Sequence, residues 1–218
     1  MKIGILGGTF NPIHFGHLHI AEEVMVACGL DQVWFVPTCQ PPHKSLAEEV
    51  SFAQRLEMVN AAIAGDGRFL ACDMEGRRGG KSFSVTTLEL LREQYPEHEF
   101  FFIMGLDSFR EVGSWKSYHR LFELAHIVVT ARPGFTGDPR QLLPVAIADR
   151  FCYDADAEKL RHDAGFTVIF VSHTSRDISS TRVRQAVADG EAIDGLVPAA
   201  VIDCIDCHHL YTTAAPSD

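Results

Sequence analysis

No apolar run in this 218-residue chain reaches the roughly 18 residues that a membrane-spanning helix needs. The N-terminus carries one lysine and then a strand pattern broken by glycines, so no secretory leader is expected and cytoplasm is the expected compartment. Basic side chains are in deficit. With 19 Lys and Arg against 29 Asp and Glu, the formal net charge is -10, which argues against broad binding to nucleic acid, and the lack of a long apolar run predicts no membrane partner. The deficit also makes local basic clusters such as "SSTRVR" and "PPHK" more informative. There is no Walker lysine motif, no repeat and no low-complexity tract.

The six cysteines (Cys28, Cys39, Cys72, Cys152, Cys204 and Cys207) are scattered through apolar segments, which predicts buried thiols and not a disulfide framework. One pair has a sharper alternative. "CIDCHH" places Cys204-x-x-Cys207 before His208, the spacing of a c-type haem attachment or of half a metal site. A helix started by Pro198, with both cysteines on its packed side, accounts for the same residues. No second CxxC supplies a zinc shell.

Hydrophobic residues at 46% and charged residues at 22% are ordinary for a globular protein, and the length suits one domain spanning 1–218. Strand patterns fall at 2–6, 32–37, 69–74, 99–104, 126–131 and 167–171. Helical patterns fall at 15–28, 51–64, 85–94, 117–125, 179–189 and 198–209. Ser51 with Gln54 forms a capping box, and Ser84 is a candidate cap for the following helix. This alternation predicts an α/β fold: a three-layer, Rossmann-like, doubly wound and mostly parallel sheet, with a C-terminal helical extension over about 179–212. Residues 133–165 hold Pro133, Gly134, Gly137, Pro139 and Pro144, and read as a connection with a short helix or two. In such sheets a ligand lies beyond the strand C-termini, where the strand order reverses.

The opening "MKIGILGGTFNPIHFGH" sits at that place. A strand ends in Gly7-Gly8, and an amphipathic helix opens between His14 and His17. Amides at a helix N-terminus favour anions, glycine permits close approach, and two imidazoles three residues apart suit a phosphate. A tight turn followed by two surface histidines reads equally well from this stretch alone. The dinucleotide fingerprint is absent: no third glycine follows, and the second strand ends in Pro37-Thr38 without an acidic residue.

"ISSTRVR" (178–184) is a second such entrance. Ser179 or Ser180 can cap its helix, Thr181 adds a hydroxyl, and Arg182 and Arg184 add guanidinium groups. Two arginines in a first turn oppose the helix dipole and call for an anion. Two helix-terminal phosphate sites suit a substrate with several phosphates, or two phosphorylated substrates that meet. Neither carries a nucleophile with its base, so no covalent intermediate is indicated.

"GGTFNPIHFGH" resembles the nucleotidyltransferase signature in which His-x-Gly-His closes the first turn, and "ISSTRVR" is similar to that superfamily's second motif. With "PPHK" (41–44), "GLDS" (105–108), "SW" (114–115), "ARPG" (131–134) and "LVPAAVIDCI" (196–205), the set resembles bacterial nicotinate-mononucleotide adenylyltransferases over nearly the whole chain. The resemblance implies direct in-line attack of the nicotinate mononucleotide phosphate on the α-phosphorus of ATP, giving deamido-NAD and pyrophosphate. It implies that His14 and His17 hydrogen-bond the reacting phosphates. Gly8, Thr9 and Phe10 would offer backbone contacts, while Lys44, Arg132, Arg184, Ser180 and Thr181 would hold phosphates. Asp107 would bind a ribose hydroxyl, and Trp115 would face the nicotinate ring, its carboxylate met by N–H groups near Ser84 and Lys116. Mg²⁺ would arrive with ATP, since no carboxylate cluster here makes a protein cage.

The family's usual "SYTxDT" appears as "SFSVTT" (82–87), so Phe83 stands for a tyrosine and Thr86 for an aspartate. Nicotinamide mononucleotide and pantetheine phosphate are the alternative acceptors. "PPHK", Trp115 and chain length disfavour the second. A nucleotide sensor without turnover, or a haem or metal protein through "CIDCHH", would be a different class altogether. Homo-oligomerisation is left open.

Overall fold

The structure is a computed structural model, and it describes residues 1–41, 50–131, 138–155, 159–172, 174 and 178–212. The elements run β1 (Lys2–Gly8), α1 (Phe15–Cys28), β2 (Gln32–Pro37), α2 (Phe52–Ile63), β3 (Phe69–Ala71), α3 (Met74–Arg78) and α4 (Ser84–Gln94). They continue with β4 (Glu99–Gly105), α5 (Leu106–Arg110), α6 (Tyr118–Leu121), β5 (His126–Ala131), β6 (Phe151–Asp154) and β7 (Lys159–His162). The chain closes with β8 (Thr167–Ser172), α7 (Ser180–Ala188) and α8 (Ala199–Cys207). Among the described residues no helix is long and apolar enough to cross a membrane.

One sheet is ordered β3-β2-β1-β4-β5-β8-β7-β6, with the first six strands parallel and the β7 and β6 pairings antiparallel. The chain leaves β1 towards β2 and β3, then returns to the other side of β1 to lay down β4. The reversal point therefore lies between the C-termini of β1 and β4, the place expected for a ligand.

Alternation along each strand feeds two cores. Ile3, Ile5, Trp34, Val36, Phe100, Phe102, Ile127 and Val129 enter one, beneath α4 and the 106–125 segment. Leu6, Val33, Phe35, Phe101, Ile103 and Val128 enter the other, under α1, α2, α7 and α8. Period-two side-chain direction in a sheet covered on both faces dictates this split.

The local signals hold in part. Ser51 and Gln54 bond reciprocally as a capping box. Ser179 caps α7, its Oγ accepting from Arg182 N–H at 3.2 Å. The expected cap at Ser84 is corrected: Phe83 occupies the cap position and Ser84 is the first helical residue. The strand expected over 69–74 stops at Ala71, because Met74 already opens α3. The helix expected over 117–125 is one turn, Tyr118–Leu121.

The largest correction is the reading of 133–165 as a connection with short helices. Its described residues hold two 3₁₀ segments, Pro139–Leu142 and Val145–Arg150, and then the β6 and β7 strands, paired antiparallel, that extend the sheet. "FCYD" and "KLRH" are four residues each, β6 being the edge of the sheet and β7 lying between it and β8, so no long apolar run announces them. The buried-thiol expectation is corrected too. Cys152 and Cys207 are exposed and the other four are half-buried. Cys204 packs against the core, while Cys207, at the end of α8, faces outward.

Candidate active site

A cavity of about 400 Å³ opens at the reversal point. Its walls are the ends of β1 (Gly7, Gly8), β2 (Val36) and β4 (Met104, Gly105), together with His17, Ser84, Trp115 and Lys116. Of the expected site residues Gly8, His17, Ser84, Trp115 and Lys116 line it, whereas Thr9, Phe10, His14, Ser180, Thr181 and Arg184 do not.

His14 takes the N-cap position of α1 and is 6% exposed. Its N–H donates to His17 Nδ1 at 3.3 Å, and the two rings stack 3.7 Å apart. Acceptance at Nδ1 leaves the His17 proton on Nε2, and the residue lines the cavity. Burial lowers the pKa of His14 to about 4. Burial, and then the neighbouring His14, hold His17 well below the usual range. Both are neutral hydrogen-bonding groups at pH 7, and the buried Nδ1 of His14 has no protein partner. Gly16 between them leaves the His14 ring room, since a Cβ there would stand 3.0 Å from that ring and press on it.

One amide of the α1 entrance is engaged. Phe15 N–H, one of the first amides of the helix, already donates to Leu196 O at 3.0 Å. Gly8 lines the cavity, and its carbonyl accepts from Thr38 N–H at 2.8 Å. Phe10 sits at φ 46, a left-handed conformation that costs a non-glycine residue about 1–3 kcal/mol. Its buried ring offsets that cost by packing on Phe35 and edge-on to His17.

The second motif is tied to the first. Ser180 Oγ–H donates to Pro12 O at 2.9 Å, and Arg184 donates to Asn11 O at 2.8 Å and Thr181 Oγ1 at 3.3 Å. Thr181 is exposed beside them. Asp107 is exposed in α5, 3.5 Å from Arg110, and is not among the residues lining the cavity. Lys44 and Arg132 lie outside the described residues.

Ser84 contributes an N–H from the first turn of α4, where a helix leaves amides without internal partners. Trp115 is half-buried and edge-on to Phe102, and Lys116 Nζ lies 4.4 Å from the centre of the Phe83 ring. Ser117 follows at φ 50. The altered "SFSVTT" segment supports the wall. Ser82 Oγ accepts from Cys39 N–H at 3.0 Å, and Thr87 Oγ–H donates to the buried Glu75 at 2.7 Å. Sequence reasoning missed Glu75, which lines the cavity, and nothing in "DMEGRR" signals it. It also missed Arg55, whose place on the apolar stripe Phe52, Arg55, Met58 and Val59 of α2 was the available clue. Among the described residues no group of three or more His, Cys, Asp or Glu could hold a metal ion. At the end of α8, His208 Nε2 pairs with Glu57 at 2.9 Å.

A glycine turn after the first strand, two stacked imidazoles and a serine- and arginine-bearing helix start, all at the reversal point of a parallel sheet, define a nucleotidyl-transfer fold. The cytidylyltransferase-like family matches residues 5–186. The chain belongs, more narrowly, to the nicotinate-nucleotide adenylyltransferases. A Syntrophotalea carbinolica protein named a probable nicotinate-nucleotide adenylyltransferase is 56% identical, over 97% of each chain. A Geotalea daltonii protein of the same name is 51% identical, over 97% of this chain and 98% of that one. In fold, the chain is similar to the Plasmodium falciparum nicotinic acid mononucleotide adenylyltransferase solved in complex with NaAD. The TM-score is 0.72 at 20% identity, covering 96% and 97% of the two chains.

Proposed function

We propose that this chain joins ATP and nicotinate mononucleotide into deamido-NAD, releasing pyrophosphate, by direct in-line transfer. The observation that carries the reading is the shared cavity. His17 and Gly8 line it together with Ser84, Trp115 and Lys116, so the glycine turn and an imidazole share one enclosure with an aromatic wall, which supports the reading.

A phosphate is already a competent nucleophile, so the protein's part is to align two anions and to stabilise charge as it develops. His17 Nε2–H and the His14 ring donate to the oxygens of the phosphates being joined. Neutral imidazoles suit that task in a crowded anionic site, because they donate without first being desolvated as cations. Gly8, Thr9 and Phe10 bring backbone close to the phosphates, with Ser180, Thr181 and Arg184 at the second entrance. Lys44 and Arg132 are assigned to the same polyphosphate, and Asp107 to a ribose hydroxyl. The nicotinate ring lies against Trp115, its carboxylate facing N–H groups near Ser84 and Lys116. Mg²⁺ enters as part of the ATP substrate and supplies charge neutralisation on its phosphates; the residues described here do not build a separate metal cage.

Purified protein should release pyrophosphate from ATP only when a mononucleotide is present, and EDTA should stop it. Pyrophosphate release with phosphopantetheine, and none with either pyridine mononucleotide, would refute the assignment.

A further inference from the structure

The acceptors of the β1–α1 turn are engaged from behind. Arg55, on α2 and 1% exposed, donates from a single nitrogen, Nη1, to Thr9 O at 2.7 Å and to Thr38 O at 2.8 Å. Tyr211, beyond the end of α8, donates its hydroxyl to Asn11 Oδ1 at 2.6 Å. With Ser180 on Pro12 O and Arg184 on Asn11 O, donors from three separate parts of the chain cover the acceptors of one turn. Burial pushes the Tyr211 hydroxyl up, so it stays protonated as a donor, and the nearby Arg184 and Arg55 offset only part of that shift.

A backbone that meets a polyphosphate must present N–H groups and turn its carbonyls away. Arg55 has a second property. Among the described residues its guanidinium meets only carbonyls and, at 5.6 Å, the Phe52 ring, and its buried Nε has no partner. Burial works against the charged guanidinium, and the Glu75 carboxylate acts on it electrostatically without forming an ion pair with it, so part of its positive field remains beneath the turn.

We infer that Arg55 and Tyr211 are positioning residues for the ATP side of the site. They hold the acceptors of the turn away from the substrate, and Arg55 adds positive charge under the phosphates. Neither residue touches the cavity, so both act through the turn. The inference rests on the adenylyl-transfer reading.

The test varies each substrate in turn for wild type, Tyr211→Phe, Arg55→Met and Arg55→Lys, and measures thermal stabilisation by inorganic tripolyphosphate. Tyr211→Phe removes one hydroxyl and should raise the KM for ATP about threefold to tenfold, the worth of one neutral hydrogen bond. The KM for the mononucleotide should stay within about twofold. Arg55→Met should raise the KM for ATP by about tenfold or more and reduce stabilisation by tripolyphosphate, and Arg55→Lys should recover most of both. A folded Tyr211→Phe with unchanged KM for ATP, or with both KM values raised alike, overturns the inference, even where Arg55→Met fails to fold. Absence of turnover in wild type would strike the functional reading instead, and the tripolyphosphate comparison would still decide the role of the two residues.

Discussion

The His14 and His17 rings stack at 3.7 Å between centroids and 25° between planes, joined by the His14 N–H that donates to His17 Nδ1 at 3.3 Å. This pairing assigns His17 two tasks that can be separated. Its Nδ1 satisfies the His14 backbone donor, and its Nε2–H is left for a ligand in the cavity that the residue lines. His17→Ala should lower the rate of adenylyl transfer by about 10²–10³, the usual cost of one donor to developing negative charge. It should also cost about 1–3 kcal/mol of stability by leaving the His14 N–H unpaired. His17→Asn offers that N–H an acceptor, so it should recover stability and only part of the rate. A folded His17→Ala with near-normal turnover would remove His17 from the chemistry.

The same burial fixes a pH dependence. His14 titrates at about 4 in the folded chain and His17 well below its usual value, against about 6.5 for a histidine in an unfolded one. Between those values the unfolded chain binds more protons, so stability is full above about pH 6.5 and falls as pH drops towards 4. Each such histidine adds up to about 1.4 kcal/mol per pH unit to that slope. His126 and His162 are also lowered by burial and act in the same direction. Asp66, held near 2 by Arg68, loses its contribution only further into acid. Thermal unfolding from pH 4 to pH 8 checks this, and a flat profile between pH 7 and pH 5 would contradict it. Bound tripolyphosphate should flatten the acid limb, because an anion beside the rings favours their protonated form.

Arg184→Ala should weaken ATP more than the mononucleotide. Its guanidinium spans Asn11 O at 2.8 Å and Thr181 Oγ1 at 3.3 Å, and so fixes the start of α7 against the β1–α1 turn. Lysine cannot reproduce that fork, so Arg184→Lys should restore little. Titrations of the two substrates separately would test it, and equal losses for both would show that Arg184 does not belong to the ATP side.

What was legible in the sequence was what repeats locally. The β1–turn–α1 unit, the Ser51–Gln54 box and the Ser179 cap follow from short-range spacing, and the structure has each of them. The edge pair β6–β7 was not legible, because its pairing and not its composition makes it a strand pair. The links that assemble the site were hidden for a related reason. Ser180 with Pro12 and Tyr211 with Asn11 are 168 and 200 residues apart, and no local pattern encodes such a partner. Arg55 left a trace, a cation on an apolar helical stripe, which propensity reasoning treats as noise.

The last prediction concerns the choice between acid and amide. Ser84 opens α4 with an N–H that the helix does not use, and Trp115 and Lys116 stand on the same cavity. A nicotinate carboxylate accepts from such donors with both oxygens, whereas the amide would turn an NH₂ donor towards one of them. An unsatisfied buried donor costs about 1–3 kcal/mol, and hydrogen bonds to a charged acceptor are stronger than neutral ones. Catalytic efficiency should therefore favour nicotinate mononucleotide over its amide by about tenfold or more, since about 1.4 kcal/mol is a factor of ten. Phe83, which stands in the altered "SFSVTT" segment, bears on this directly. Its ring lies 4.4 Å from Lys116 Nζ, and a cation held there adds a favourable charge for a carboxylate. Lys116→Met should thus narrow the preference by lowering efficiency with the acid and leaving the amide nearly unchanged. Equal efficiencies of the two mononucleotides with wild-type protein would show that these donors do not meet the carboxylate.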